Sequence, residues 1–310
     1  MHRQLTRSFV FLLVALSAVV SRADEPLKWK FKAGDKFTYE MTQNMHTTTA
    51  AGPAGSNEIG MNQTMDISWM IDEVDSDGNA VMRQKIDRVK LKMSMPGGQS
   101  MEYDTAGDKP PQGMIAMLAP LYKAMTDGDF KITMTPQGKI IKAEAPESLA
   151  AALKNIPGAA AMGDLSSPEG IQQMLTQGSM TLPEGETKAG ESWTSELEMK
   201  LPTGKQEVLT TYEYVGTKEV DGKAYAEIKP KMEIKSDVDP NALMQMSIAD
   251  QSSEGEILFD RELGRLHSSN IKQKIEMEMN VQGQSITSTI DQTIEMKLKG
   301  NEKSSSSQKP

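Results

Sequence analysis

The stretch Lys32-Ala33-Gly34-Asp35-Lys36-Phe37-Thr38 returns later in the chain as Lys188-Ala189-Gly190-Glu191-Ser192-Trp193-Thr194. Each copy is a glycine-bearing turn followed by an aromatic residue that opens an alternating run. After the first, Phe37, Tyr39 and Met41 alternate with Thr38 and Glu40; after the second, Trp193, Leu197, Met199 and Leu201 alternate with Thr194, Glu196, Glu198 and Lys200. A period of two places the apolar set on one face of a sheet and the charged set on the other. Downstream of both copies the features come in one order: strands, an Asp-Gly turn, a strand, a helical insert and a strand-Gly-strand hairpin.

Working outward, this repeat predicts two similar β-rich halves, residues 24–143 and 182–299, joined by a helical connector at 144–181. In the first half, Leu27 to Phe31 reads as a short strand. Met65, Ile67, Trp69 and Ile71 form one face of a second strand. Asp75-Ser76-Asp77-Gly78-Asn79 is a hairpin turn, and Val89, Leu91, Met93 and Met95 lie on the return strand. Thr47 to Gly55 reads as a loop. Met114 to Met125 has helical spacing, with Pro120 predicting a kink or two pieces. Phe130 to Met134 and Lys139 to Lys142 flank a Pro136-Gln137-Gly138 turn.

The connector is rich in Ala, and Pro146, Pro157 and Pro168 are placed as early helix residues, predicting two or three short helices. In the second half, Asp221-Gly222 parallels Asp77-Gly78, and Asp239 to Ala249 is predicted as the matching short helix. A hairpin around Gly264 parallels that around Gly138. Two long strands follow, with Ile275, Met277, Met279 and Val281 on one and Ile286, Ile290, Ile294, Met296 and Leu298 on the other. Residues 300–310 have nothing to bury and are predicted to be disordered. The fold class is therefore α+β and β-dominated: curved antiparallel sheets from two similar halves, with short helices in the connector and in each half.

At the start of the chain, Arg3 and Arg7 precede an apolar run from Phe9 to Val20, and Ser21-Arg22-Ala23 offers small residues for signal-peptidase cleavage. Residues 1–23 thus read as a secretory signal, and the product as a secreted or periplasmic protein beginning near Asp24. Removing that segment takes three arginines with it and moves the formal charge from -9 to -12. An acidic surface argues against nucleic acid as a partner. No later run approaches the roughly 20 apolar residues of a spanning helix. The absence of Cys removes disulfides, thiol catalysis and thiolate metal sites together.

Catalytic constellations are not apparent. His46 stands among threonines, His267 stands beside Ser268 and Ser269, and there is no Gly-x-Ser-x-Gly pattern. No enzymatic activity, no cofactor and no metal are expected. Asp72, Asp75, Asp77 and Asn79 could be drawn as a calcium loop, but the glycine and bidentate glutamate fall out of place, and an acidic hairpin turn explains the same residues. The 24 methionines suggest more. Met93-Ser94-Met95, Met244-Gln245-Met246 and Met277-Glu278-Met279 have the spacing of thioether pairs that favour Cu(I). On a strand, residues two apart also share a core face, where Met is an adaptable filler.

Two functional expectations follow. One is an exported, non-enzymatic carrier of an apolar small molecule or lipid, with Met93, Met95, Met277 and Met279 lining its space. The alternatives are a Met-based copper site, or a structural protein that binds an envelope protein partner.

Taken together, the signal segment, the Lys-Ala-Gly-Asp and Lys-Ala-Gly-Glu strand openings, the Asp-Gly hairpins and the Met-rich strands resemble an uncharacterised family of exported bacterial β-rich proteins, a domain of unknown function. The resemblance covers nearly the whole mature chain and carries no site residues over. The layout of sheet and helices is also loosely similar to periplasmic lipoprotein-carrier-like proteins.

Overall fold

A computed structural model describes residues 26–50, 55–155, 170, 175, 179–201, 204–238, 244–281 and 284–302. The signal segment, most of the connector beyond residue 155 and the last eight residues lie outside them. The strands are β1 (Lys36–Ala50), β2 (Ser56–Val74), β3 (Ala80–Ser94), β4 (Ser100–Asp104), β5 (Asp129–Met134), β6 (Ile140–Glu144), β7 (Ser192–Leu201), β8 (Gly204–Val220), β9 (Lys223–Val238), β10 (Met244–Asp260), β11 (Arg265–Val281) and β12 (Gln284–Glu302). The helices α1 (Gly113–Thr126) and α2 (Glu147–Lys154) join them.

All twelve strands belong to one antiparallel sheet, ordered β6-β5-β3-β2-β1-β12-β11-β10-β9-β8-β7, with β4 paired to β3 off this path. The two opening motifs fold alike. Gly34 N–H donates to Ile71 O and Ile71 N–H to Asp35 O; Gly190 N–H donates to Tyr214 O and Tyr214 N–H to Glu191 O. Both glycines hold positive φ, 85° and 88°, which suits a residue without Cβ. Their surroundings differ. β1 is central, paired with β2 and β12 over its length, whereas β7 pairs with β8 and forms one edge of the sheet.

The core sits at one end of the strands. It gathers Leu27, Phe37, Tyr39, Ile71, Met82, Phe130, Met134, Tyr214, Ile228 and Phe259 into one cluster. Trp29 meets Phe259 edge-on at 5.6 Å and stacks on Trp69 at 6.2 Å. Arg265, 4% exposed, lies over the Phe37 ring at 4.5 Å and pairs with Asp35 at 3.3 Å. Tyr39 donates from its hydroxyl to Leu266 O at 3.0 Å, and burial pushes that hydroxyl's pKa well up.

Two crossing segments close this end. Leu27 to Phe31 is not a ladder strand, as its alternation predicts. Its N–H groups go to two different turns, Trp29 N–H to Pro136 O at 2.7 Å and Lys30 N–H to Gly264 O at 2.9 Å. Leu182 N–H donates to Gln137 O and Trp193 Nε1–H to Thr181 O, so the segment before β7 reaches the β5–β6 turn. The sheet therefore curves until its two ends approach each other over the core.

Several sequence expectations are corrected. The helix predicted over Asp239 to Ala249 is strand from Met244 onward, and among the described residues the second half has no helix. Met244, Met246 and Ile248 also carry a period of two, and pairing with Val281, Met279 and Met277 of β11 outweighs weak local propensity. Thr47 to Ala50 is strand rather than loop because β2 and β12 pair it on both sides. Gly300 to Glu302 is likewise strand, held by Lys36 to Thr38, rather than tail. β4 was not foreseen. α1 runs through Pro120 as a single helix. In the connector α2 is present behind Pro146; of the helix expected behind Pro168 only Gly170 and Leu175 are described, both helical, and the helix expected at Pro157 falls outside the described residues.

Candidate functional site

Residues directly opposite each other in an antiparallel ladder share a face, so the registers define the inner face strand by strand. Beyond the core it carries Met41, Gln43, Met45, Thr47 and Thr49 on β1, and Ile59, Met61, Gln63 and Met65 on β2. β12 contributes Ser288, Ile290, Gln292 and Ile294, and β11 contributes Ile271, Gln273, Ile275, Met277 and Met279. Gly255, Ser253, Gln251, Ile248 and Met246 follow on β10. On β9 they are Pro230, Met232, Ile234 and Ser236; on β8, Tyr212, Thr210, Val208 and Gln206. None of these side chains is charged. The opposite face holds the Lys and Glu residues, in exposed pairs such as Lys205–Glu198 and Lys299–Glu40 that contribute little to stability.

Across this inner face runs a belt of carboxamides. Gln43 Nε2 donates to Gln292 Oε1 at 3.1 Å, Gln292 Nε2 to Gln273 Oε1 at 2.5 Å, and Gln273 Nε2 to Met232 Sδ at 2.9 Å. Tyr122 of α1 reaches Gln63 Oε1 at 3.5 Å, and burial pushes its hydroxyl pKa up. On the core side of the belt the adjoining Met41, Ile271 and Ile294 are half-buried, and full burial begins beyond them with Met65, Ile67, Ile228 and Ile257. On the other side Met232, Ile234, Ile248, Ile275, Met277, Met279, Ile286 and Ile290 are all half-buried, forming a lined trough along the far reach of β8–β12. α1 packs on β3 and β4 with α2 against it, toward the other end of the sheet.

The backbone ladder between β9 and β10 breaks off beside the trough while the strands stay adjacent. Their ladder covers Ala226 to Ile228 against Ile257 to Phe259; Pro230 then has no N–H to offer. Gln251 takes over with its side chain, accepting from Ile234 N–H and donating to Ile234 O, both at 2.8 Å. Beside this seam the hydroxyls of Ser253 and Ser236 are buried and make no hydrogen bond among the described residues.

The four methionines expected to line one space are split. Met93, 7% exposed, is packed with Leu91 and Ile115 beneath α1, against Met61, Met101, Tyr103 and Tyr122. Met95 is half-buried at the start of the turn that follows, its N–H donating to Gln99 O. Met277 and Met279 face the trough, opposite Ile248 and Met246 on one side and Ser288 and Ile286 on the other. Four inter-strand spacings separate β3 from β11, about 19 Å along the sheet. The two pairs therefore cannot share one metal ion.

His46 is exposed and lies opposite Asp291 and Gly60. The His267 ring stacks on Tyr225 with centroids 4.2 Å apart. Asp75 accepts the N–H groups of Asp77 and Asn79 and the Asn79 side-chain amide; these bonds, that to the Asn79 side chain foremost, hold its carboxyl below the usual carboxylate range. It is a turn-forming aspartate. On the polar face a transverse groove of about 630 Å³ crosses five strands, its walls including Asn44, His46, Lys272, Lys274, Asp291 and Thr293.

The carboxamide belt was missed, though the chain signals it. Each belt glutamine stands between two apolar residues of its own face: Met41-x-Gln43-x-Met45, Met61-x-Gln63-x-Met65, Ile271-x-Gln273-x-Ile275 and Ile290-x-Gln292-x-Ile294. A polar residue at an apolar phase is the readable mark.

Fold and site define the class: a β-dominated α+β protein built on one curved, open antiparallel sheet whose inner face is apolar, uncharged and belted with amides. Residues 77–307 match the family described as "Family of unknown function (DUF6263)", and the chain belongs to that family. No curated protein matches it. Among solved structures the chain is similar to lipovitellin, at 13% identity and a TM-score of 0.47, covering 91% of this chain but 27% of that one. It is also similar to a Bacteroides fragilis protein assigned as exported, with a YmcC-like fold, at 12% identity and a TM-score of 0.29 over 90% and 100% of the two chains. A Parabacteroides distasonis protein assigned as a lipoprotein is similar at 10% identity and a TM-score of 0.31, over 90% and 99%. No helix of the described residues is long and apolar enough to cross a membrane.

Proposed function

We propose that this chain is an exported, non-enzymatic binding protein that holds the hydrocarbon chain of a lipid-like molecule in the trough of β8–β12. The observation that carries this reading is the half-buried stripe of Ile and Met beyond the carboxamide belt. A closed core would bury those side chains fully, and a solvated sheet face would not carry them in such number. Met277, Met279, Met232 and Met246 supply soft, unbranched walls that adapt to chains of varied shape. Aliphatic trough with one polar band is the usual makeup of a small-molecule site.

The experiment is native mass spectrometry of protein purified from its own envelope, followed by delipidation and titration with oleoyl lipids of several head groups. A released adduct, and uptake that Ile275→Asp abolishes while the circular dichroism stays β-rich, support the proposal. A bare polypeptide mass together with no uptake of any oleoyl lipid refutes it. Addition of Cu(I) to the same protein tests the methionine alternative, and the separation of Met93 from Met277 leads us to expect no stoichiometric metal.

A further inference from the structure

The trough has a polar end with a definite chemistry. Resting on the carrier reading above, we propose that the molecule it takes bears an uncharged, hydrogen-bond-accepting head group, such as the ester or hydroxyl oxygens of a monoacylglycerol, and not a carboxylate or phosphate.

Charge is the first argument. None of the described residues facing the trough on β8 to β12 is Lys, Arg or His, so an anionic head drawn into the half-buried trough would surrender hydration with no cation to replace it. An ammonium head would be equally unmatched, since Asp and Glu are absent from the same positions. Neutral polar groups carry no such penalty.

Unspent hydrogen-bonding capacity is the second. The belt passes donors in one direction, from Gln43 through Gln292 to Gln273, and ends on the thioether of Met232. A thioether is a weak acceptor, so the terminal Gln273 Nε2–H is the least satisfied donor of the chain. Directly opposite Gln273 in the ladder stands Ser253, whose buried hydroxyl makes no hydrogen bond among the described residues. Two donors at one spot, beside the seam that Pro230 opens, fit a single ligand oxygen with two lone pairs. The cost of a buried unmade hydrogen bond is removed when that oxygen arrives.

The test compares 1-monooleoylglycerol with oleate at pH 8, below the aggregation threshold of each, on delipidated full-length protein. The acyl chain is shared, so the head group alone differs. We expect monooleoylglycerol to bind at least about tenfold more tightly, the gap expected from one mismatched polar contact. The double variant Gln273→Met/Ser253→Ala should lower monooleoylglycerol affinity by about tenfold and leave oleate within about twofold. Equal or tighter binding of oleate to the wild-type protein overturns the head-group assignment while leaving the carrier reading intact. Failure of both lipids to bind overturns both. The wild-type comparison needs no variant, so a misfolded double variant would not shelter the proposal.

Discussion

Gly264→Ala is the most revealing perturbation of the closed end. Gly264 holds a positive φ of 59°, and a Cβ there would lie 2.4 Å from the N, Cβ and Cγ of Lys30. Gly222 provides the control: its φ is 76° and no atom lies within 4 Å of the position a Cβ would take. Left-handed backbone alone costs an L-residue about 1–2 kcal/mol, and Gly222→Ala should lose that much. In Gly264→Ala the crossing segment must also move. That breaks the Lys30 N–H bond to Gly264 O, about 1 kcal/mol. It also loosens Leu27 and Trp29, 1% and 7% exposed, whose full burial would contribute about 1.5–3 kcal/mol each. Losing a third of that burial adds about 1–2 kcal/mol, for a total of about 3–5 kcal/mol. At roughly 2–4 °C per kcal/mol for a domain of this size class, the Tm should fall by about 6–20 °C, against about 2–8 °C for the control. Urea unfolding monitored by tryptophan fluorescence reads the same difference, since Trp29 sits in the affected segment. Equal losses in the two variants would show that the crossing segment does not close the sheet.

Met93→Ala should cost about 2–5 kcal/mol of stability as a core truncation beneath α1, whereas Met277→Ala should cost about 1 kcal/mol or less yet weaken uptake of oleoyl lipids; urea midpoints and lipid titration check the two halves of this contrast. Lys223 Nζ lies 2.6 Å from buried Asp260 Oδ2, and that hydrogen bond raises the ammonium pKa above the ordinary lysine value. Because the folded pKa is the higher one, this stabilisation is complete below the unfolded pKa and fades as pH rises through the folded value. Thermal melts between pH 7 and pH 11 should therefore decline more steeply for the wild-type protein than for Lys223→Met, and parallel profiles would refute the linkage. Deleting residues 284–310 removes the strand that pairs with both β1 and β11, and should abolish the cooperative transition in circular dichroism.

How much of this was legible before the fold was known can be argued residue by residue. Alternation alone placed Phe37, Tyr39, Met65, Ile67, Val89, Leu91, Ile228, Ile290 and Ile294 on one face, because the strand's period of two is written directly into the chain. The two Lys-Ala-Gly turns and the Asp-Gly hairpins were readable for a similar reason, since a left-handed turn position asks for glycine locally. What the chain could not settle was anything decided between distant segments. Met244 to Ala249 has a pattern open to helix or strand, and the β11 partner resolved it. Thr47 to Ala50 became strand because β12, 240 residues away in sequence, lies beside it. Met93 and Met277 have the same spacing and chemistry; the sheet order put one under a helix and the other four strands away in an open trough. The carboxamide belt shows the boundary most clearly. Each glutamine's apolar phase was visible within its own strand, but only the registers of β1, β12 and β11 bring Gln43, Gln292 and Gln273 within hydrogen-bonding distance, because contact in a sheet depends on pairing across chains of atoms that sequence proximity does not encode.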